Sequence, residues 1–104
     1  MAILGDPFTG TGIRQLSPND MLRALRIDIA GELEAVLGYE AHIESTGDAR
    51  VKKVLSHIAD EERSHIGELE QLIFILSPAE DEKNQKGRQS VESQQRSGFT
   101  DPMD

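Results

Sequence analysis

Glu62 and His65 stand three residues apart in a run whose other core-spaced members are aliphatic, and Glu32 occupies the same kind of position 30 residues earlier. Residues three apart on a helix are neighbours on one face. Glu32 falls between Ile29 and Val36, and Glu62 between Ile58 and Ile66, so each acid replaces a core residue. Burying an ionised carboxylate is costly unless a cation or a hydrogen-bond network compensates it. Carboxylates and an imidazole in such places therefore point to metal ligation. Hard oxygen donors with a few nitrogens suit iron or manganese; zinc also accepts them, although this is not its usual structural donor set. The plainer alternatives are a structural i,i+3 pair for Glu62 with His65, and for Glu32 a stripe-edge acid reaching solvent or a basic partner.

The remaining acids near these positions, Glu34, Glu40, Glu44, Glu61 and Glu68, fall off the centre of the apolar stripes, where a solvated helix face is the simple expectation for most. His57 precedes Glu61 by four residues, which favours a surface ion pair, and His42 is expected on an exposed face.

Two helices must position the three candidates. Ser17-Pro18-Asn19-Asp20 is a helix start, with Ser at the N-cap, Pro at the first helical position and an acid in the first turn. Leu22, Leu25, Ile29, Leu33, Val36, Tyr39 and Ile43 then recur at spacings of three and four, as an amphipathic helix requires. Ser45-Thr46-Gly47-Asp48 interrupts, with Gly47 suited to a C-cap and Asp48 to the next N-cap. A second stripe runs from Val51 through Val54, Leu55, Ile58, Ile66, Leu69, Leu72 and Ile73 to Leu76, and Ser77-Pro78 ends it. A third, polar helix is expected from about Pro78. Beyond about Lys86 the Gln-, Ser- and Arg-rich sequence, with Val91 and Phe99 as its large apolar residues, reads as disordered or dependent on a partner. Residues 1–16, containing Gly5, Pro7, Gly10 and Gly12, read as a mobile arm. The expected organisation is thus an arm (1–16), a helical hairpin (17–78), and a polar helix with a disordered tail (79–104).

Two long helices joined by a short turn lie antiparallel, so residues equidistant from the turn face each other at one level. Glu32 and Glu62 are each 15 residues from Gly47. Glu32, Glu62 and His65 should therefore converge. The set is nonetheless half of a two-metal carboxylate site, which takes a Glu from each of two helices and a Glu-x-x-His from each of the other two. A hairpin also leaves its apolar stripes half uncovered, and so few ordered residues are marginal for an independent fold. Dimerisation would cover the stripes and complete the site together, giving an all-α four-helix bundle.

Composition narrows the remaining classes. With no Cys, disulfides and thiolate metal sites are ruled out. A formal charge of −8 argues against nucleic acid and, where acids cluster, concentrates cations. The longest apolar run, Leu72–Leu76, is far short of the ~20 residues of a membrane span, and no basic-then-apolar leader opens the chain. A cytoplasmic protein without membrane contact is the expectation.

The segments Gly31-Glu32-Leu33-Glu34-Ala35-Val36 through Tyr39, and Asp60-Glu61-Glu62-Arg63-Ser64-His65, resemble the encapsulated ferritins, the two-helix branch of the ferritin-like superfamily. The resemblance covers roughly residues 18–78. It implies a homodimer with a di-iron ferroxidase centre at its interface, assembly of dimers into an open ring, and iron storage inside an encapsulin nanocompartment. It also implies that Glu32, Glu62 and His65 are the iron ligands and that Tyr39 lies beside the centre. From the residues themselves, Tyr39 is equally an interfacial core aromatic with a satisfied hydroxyl. Glu34 matches a position used in metal uptake. The second nitrogen of His65 requires an outer acceptor, for which Glu61 and Glu68 of either chain are candidates. The chain departs from the family's pattern at Gly31, where many relatives carry an acid, at Gly38, where some carry Trp, and at the C-terminus, which lacks a Gly-Ser-Leu type of shell-docking sequence. Two other functions use the same residues differently: a rubrerythrin-like di-metal peroxidase, which here would lack a Cys-based electron centre, and a non-catalytic helical oligomerisation module.

Overall fold

A computed structural model describes residues 15–96 as three helices: α1 (Pro18–Ser45), α2 (Ala49–Leu76) and α3 (Pro78–Arg96). Nearly all of the expected N-terminal arm, and the segment from Ser97 onward, lie outside the described residues. Among the described residues there is no strand, and no helix is long and apolar enough to cross a membrane.

The starts of α1 and α2 follow the capping chemistry of the sequence. Ser17 caps α1, its hydroxyl accepting from the Asp20 amide at 3.2 Å, with Pro18 next. Asp48 caps α2 and accepts from the Arg50 amide at 2.9 Å. The Arg50 guanidinium also donates to both Asp48 oxygens, at 3.2 and 2.9 Å. That side chain, and then the Arg50 amide, hold the Asp48 carboxyl below the usual carboxylate range. At the end of α1 the expectation of a glycine cap is corrected: Thr46, with φ −110° and ψ 144°, is the cap, and Gly47 does not adopt a positive φ. The reversal is instead made with extended backbone, and the Thr46 hydroxyl accepts from the Asp48 amide at 3.2 Å. Ser77 ends α2, donating its amide to the Ile73 carbonyl, while its own carbonyl accepts from Glu80 at 3.0 Å to open α3.

α1 and α2 pack along their length as the antiparallel hairpin. Among the described residues very little is enclosed: Leu25, Val36, Ala59 and Ile73 are the buried hydrophobic residues. The Cα radius of gyration, 17.9 Å, is well above the ~13 Å of a compact domain of about 100 residues. The chain is a flat body of 47 × 45 × 19 Å rather than a closed one. α3 departs from the hairpin and is exposed at every residue from Glu82 to Arg96. Regular structure thus continues past Lys86 to Arg96, which corrects the sequence expectation for that stretch. Pairs one turn apart, Glu82 with Lys86, Asn84 with Arg88 and Glu92 with Arg96, sustain a helix with almost no apolar side. Its root is tied to α1 by Arg26, whose Nη2 donates to both Glu80 oxygens at 2.7 and 2.6 Å.

Candidate metal centre

The midpoint of α1 falls between Gly31 and Glu32, and that of α2 between Glu62 and Arg63, so the acids sit at the waist of the hairpin. Ala59, 1% exposed, lies one turn before Glu62, and Val36 is buried one turn after Glu32. These two apolar contacts fix the rotation of each helix near the site. Arg63 adds a tie, with Nη1 on Asp60 at 2.7 Å and Nη2 reaching Glu40 of α1 at 3.3 Å.

Glu32, Glu62 and His65 come together with one donor atom of each within 4.8 Å of the others, and they are the group of this kind among the described residues. His65 Nδ1 stands 3.5 Å from Glu62 Oε2 and 3.8 Å from Glu32 Oε2. A charge-assisted hydrogen bond between such groups would be about 2.7–2.9 Å long, so neither separation is a direct bond. Two donors each ~2.1 Å from a common ion are at most ~4.2 Å apart, and both separations lie below that limit. The two imidazole–carboxylate separations are thus compatible with a shared cation, from which the two like-charged carboxylates have the most to gain. Exposure rises across the set, from 19% for the Glu62 side chain and 27% for Glu32 to 48% for His65. The open side of the site is the side His65 faces.

The other candidates separate. Tyr39 is half-buried, two turns or about 10.5 Å along the axis from Glu32, and no hydrogen bond joins it to the cluster among the described residues. Glu34 is half-buried on a different side of α1, with Oε2 fully enclosed and without a hydrogen-bond partner. Glu61 is exposed and pairs with His57, Nε2 to Oε1 at 2.6 Å, the surface pair their spacing predicts. His42 is exposed, as expected, and a Cβ on Gly38 would meet open space. The cross-helix ties Arg63–Glu40 and Arg26–Glu80 were not anticipated from sequence; only the choice of Arg against Glu could have hinted at them.

Comparison with known proteins bears directly on this arrangement. Residues 19–77 match the family described as ubiquinone biosynthesis protein COQ7, a ferritin-like family. The encapsulated ferritin domain from Pyrococcus furiosus, a solved structure, superposes with a TM-score of 0.78 and 26% identity over 88% of this chain and 94% of that one. The chain belongs to this ferritin-like family and is related to the encapsulated ferritins. It is also 36% identical over 73 residues to the encapsulin nanocompartment cargo protein EncC of Myxococcus xanthus, covering 70% of this chain and 56% of that protein. A ferritin-like–encapsulin shell fusion protein of Pyrococcus furiosus matches at 36% over 59 residues, which is 57% of this chain and 17% of the fusion. The chain thus spans about half the length of the cargo protein and under a fifth of the fusion. The all-α ferritin-like architecture expected from the sequence is borne out.

Proposed function

We propose that the protein is a ferroxidase that oxidises Fe(II) at a di-iron centre shared by two copies, for iron storage or detoxification, as cargo of an encapsulin compartment. The observation that carries the proposal is the convergence of Glu32, Glu62 and His65 at separations suited to a common ion. Each hairpin supplies two carboxylates and one imidazole, half of what a two-metal site needs. A two-fold axis through the waist supplies the rest with full overlap of the helices. The same association covers Val54 (58% exposed) and Leu72 (46%), which flank the site along α2.

Fe(II) is the substrate, and the chemistry balances as two ferrous ions giving two electrons to one O2, which with two protons leaves as hydrogen peroxide. Glu32 and Glu62 hold the ions with oxygen donors that favour the higher charge of Fe(III), and His65 adds one nitrogen from each copy. Tyr39 contributes from beside the centre in the assembled protein, its hydroxyl donating to a ligand carboxylate. Manganese and zinc fit the same donors as substitutes. Residence inside an encapsulin shell is supported by the names of the relatives, an encapsulin cargo protein and a ferritin-like–encapsulin shell fusion, and assembly of dimers into a ring is proposed with it.

Anaerobic addition of Fe(II) followed by air tests the reading. A rapid rise of Fe(III) that saturates at two irons per dimer is the expected result. Faster turnover with peroxide than with O2 would favour the peroxidase alternative, and absence of specific uptake would leave an oligomerisation module.

A further inference from the structure

We infer that Glu61 of a second copy of the chain is the hydrogen-bond acceptor that orients His65, so that Glu61 is a positioning residue of the metal centre acting across the dimer. The inference rests on the homodimer proposed above and specifies how its two α2 helices meet.

The exposed side of α2 is self-complementary about Arg63. Val54 lies nine residues before it and Leu72 nine after; Val51 lies twelve before and Leu76 thirteen after; Ile58 lies five before and Leu69 six after. Val51, Val54, Leu72 and Leu76 are 41%, 58%, 46% and 54% exposed, so this stripe is uncovered in the single chain. Steps of three and four residues carry it down one side of the helix, the pattern of a helix-pairing seam. An antiparallel second α2, related by a two-fold axis at the level of Arg63, sets Val54 directly against Leu72 and brings Val51 and Ile58 within one residue of the levels of Leu76 and Leu69. That axis passes through the waist, the level of Glu32 and Glu62.

Two positions of the stripe are polar, Glu61 and His65, and they stand two residues before and two after the same centre. The symmetry that pairs valine with leucine therefore sets Glu61 of the partner subunit opposite His65. Glu68 fails this test, because it lies five residues from the centre and so falls at the level of Ile58 of the partner subunit, not of His65. Within one chain His65 turns Nδ1 toward Glu32 and Glu62, which leaves Nε2 on the other edge of the ring, toward the uncovered side. Glu61 engages His57 through Oε1, leaving Oε2. An imidazole that ligates through one nitrogen needs an acceptor for the N–H of the other, and a carboxylate there fixes both tautomer and ring orientation. Two acids placed on an apolar seam at Glu61 and its symmetry mate would also be costly without such partners.

Because the chain has no cysteine, engineered thiols test the register without interference. Mixing the single variants Val54→Cys and Leu72→Cys under mild oxidation should give an intermolecular disulfide, while neither alone should cross-link. Self-cross-linking of Val54→Cys would overturn the register and the inference with it. Zn(II) affinity of the dimer, by competition with a chelating dye, tests the contact itself. Glu61→Ala should lower it by about 10- to 100-fold, the usual cost of losing an outer partner, with the dimer retained. Glu61→Gln, whose amide oxygen still accepts, should recover most of that loss, and His57→Ala and Glu68→Ala should leave the affinity unchanged. In the zinc-loaded wild type, nitrogen NMR should show His65 protonated at Nε2, a signature that Glu61→Ala alters. Equal losses in Glu61→Ala and Glu61→Gln would assign the effect to charge, and an equal loss in His57→Ala would assign it to the surface pair; either overturns the inference. If the wild type itself binds no zinc, the metal site falls; if it binds and Glu61→Ala binds as tightly, only the role of Glu61 falls.

Discussion

α2 and α3 are consecutive helices separated by one residue, yet they expose opposite kinds of surface. α2 turns Val51, Val54, Leu72, Ile75 and Leu76 outward, whereas α3 exposes Val91 amid charged and amide side chains. A polar helix held by i,i+4 pairs is stable against water on all sides; an amphipathic one with two apolar flanks is stable only between two neighbours. α1 satisfies one flank of α2. The other flank, with Glu62 and His65 near its centre, is left uncovered in the single chain, and it is the face on which the proposed association rests.

The sharpest way to break this contrast is at the centre of that face. Glu62→Ala should reduce Zn(II) or Fe(II) affinity by more than about 100-fold, beyond the cost of an outer partner, and abolish the oxidation burst. A merely structural acid would predict the reverse, neutral or raised stability on removal of a buried carboxylate. Removing the segment after Arg96 should leave dimerisation and iron oxidation unchanged, and loss of co-purification with a co-expressed encapsulin shell would make that segment a docking sequence of a different type. Retained packaging would move the docking surface to the helices. Val54→Asp should weaken the dimer at least ~10-fold, since burying a valine contributes about 2 kcal/mol, as read by sedimentation equilibrium. Val91→Asp on α3 should change neither mass nor melting temperature, and a comparable loss there would erase the distinction between the two helices.

Smaller effects sharpen the comparison at the ends of the helices. Arg26→Ala removes the tie between α1 and the root of α3 and should cost about 0–1 kcal/mol, visible as a small shift in thermal unfolding. Asp48→Ala should lower the melting temperature at neutral pH by removing the cap of α2. Because Arg50 holds the Asp48 carboxyl below its unfolded value, that contribution is present in full above the ordinary carboxylate range. It is lost as pH falls through the depressed value, so wild type and variant should converge in acid.

Much of this was legible in the residues. Ser17-Pro18 and Asp48 announced the helix starts because capping is chemistry between residues two or three apart. Ser77-Pro78 announced the break between α2 and α3 for the same reason. The end of α1 was misread because Gly47 suggests a left-handed cap, whereas extended backbone at Thr46 makes the turn without one. The extent of α3 was underestimated because a sequence poor in apolar residues resembles a disordered one; local ion pairs rather than burial sustain it. The exposed pair of His57 with Glu61 was also legible, because residues four apart on a helix are neighbours.

The sequence by itself determined the helices, their antiparallel pairing and the level at which Glu32 meets Glu62, since all three follow from periodicity and chain connectivity. Only the tertiary structure decided how each helix is rotated about its axis, and therefore that His65 Nδ1 faces both carboxylates at cation-sharing distance while Glu34 and Tyr39 do not join them. Rotation is set by which side chains each helix buries in the hairpin, here Val36 of α1 and Ala59 of α2. That is a contact between distant residues, which no local pattern encodes.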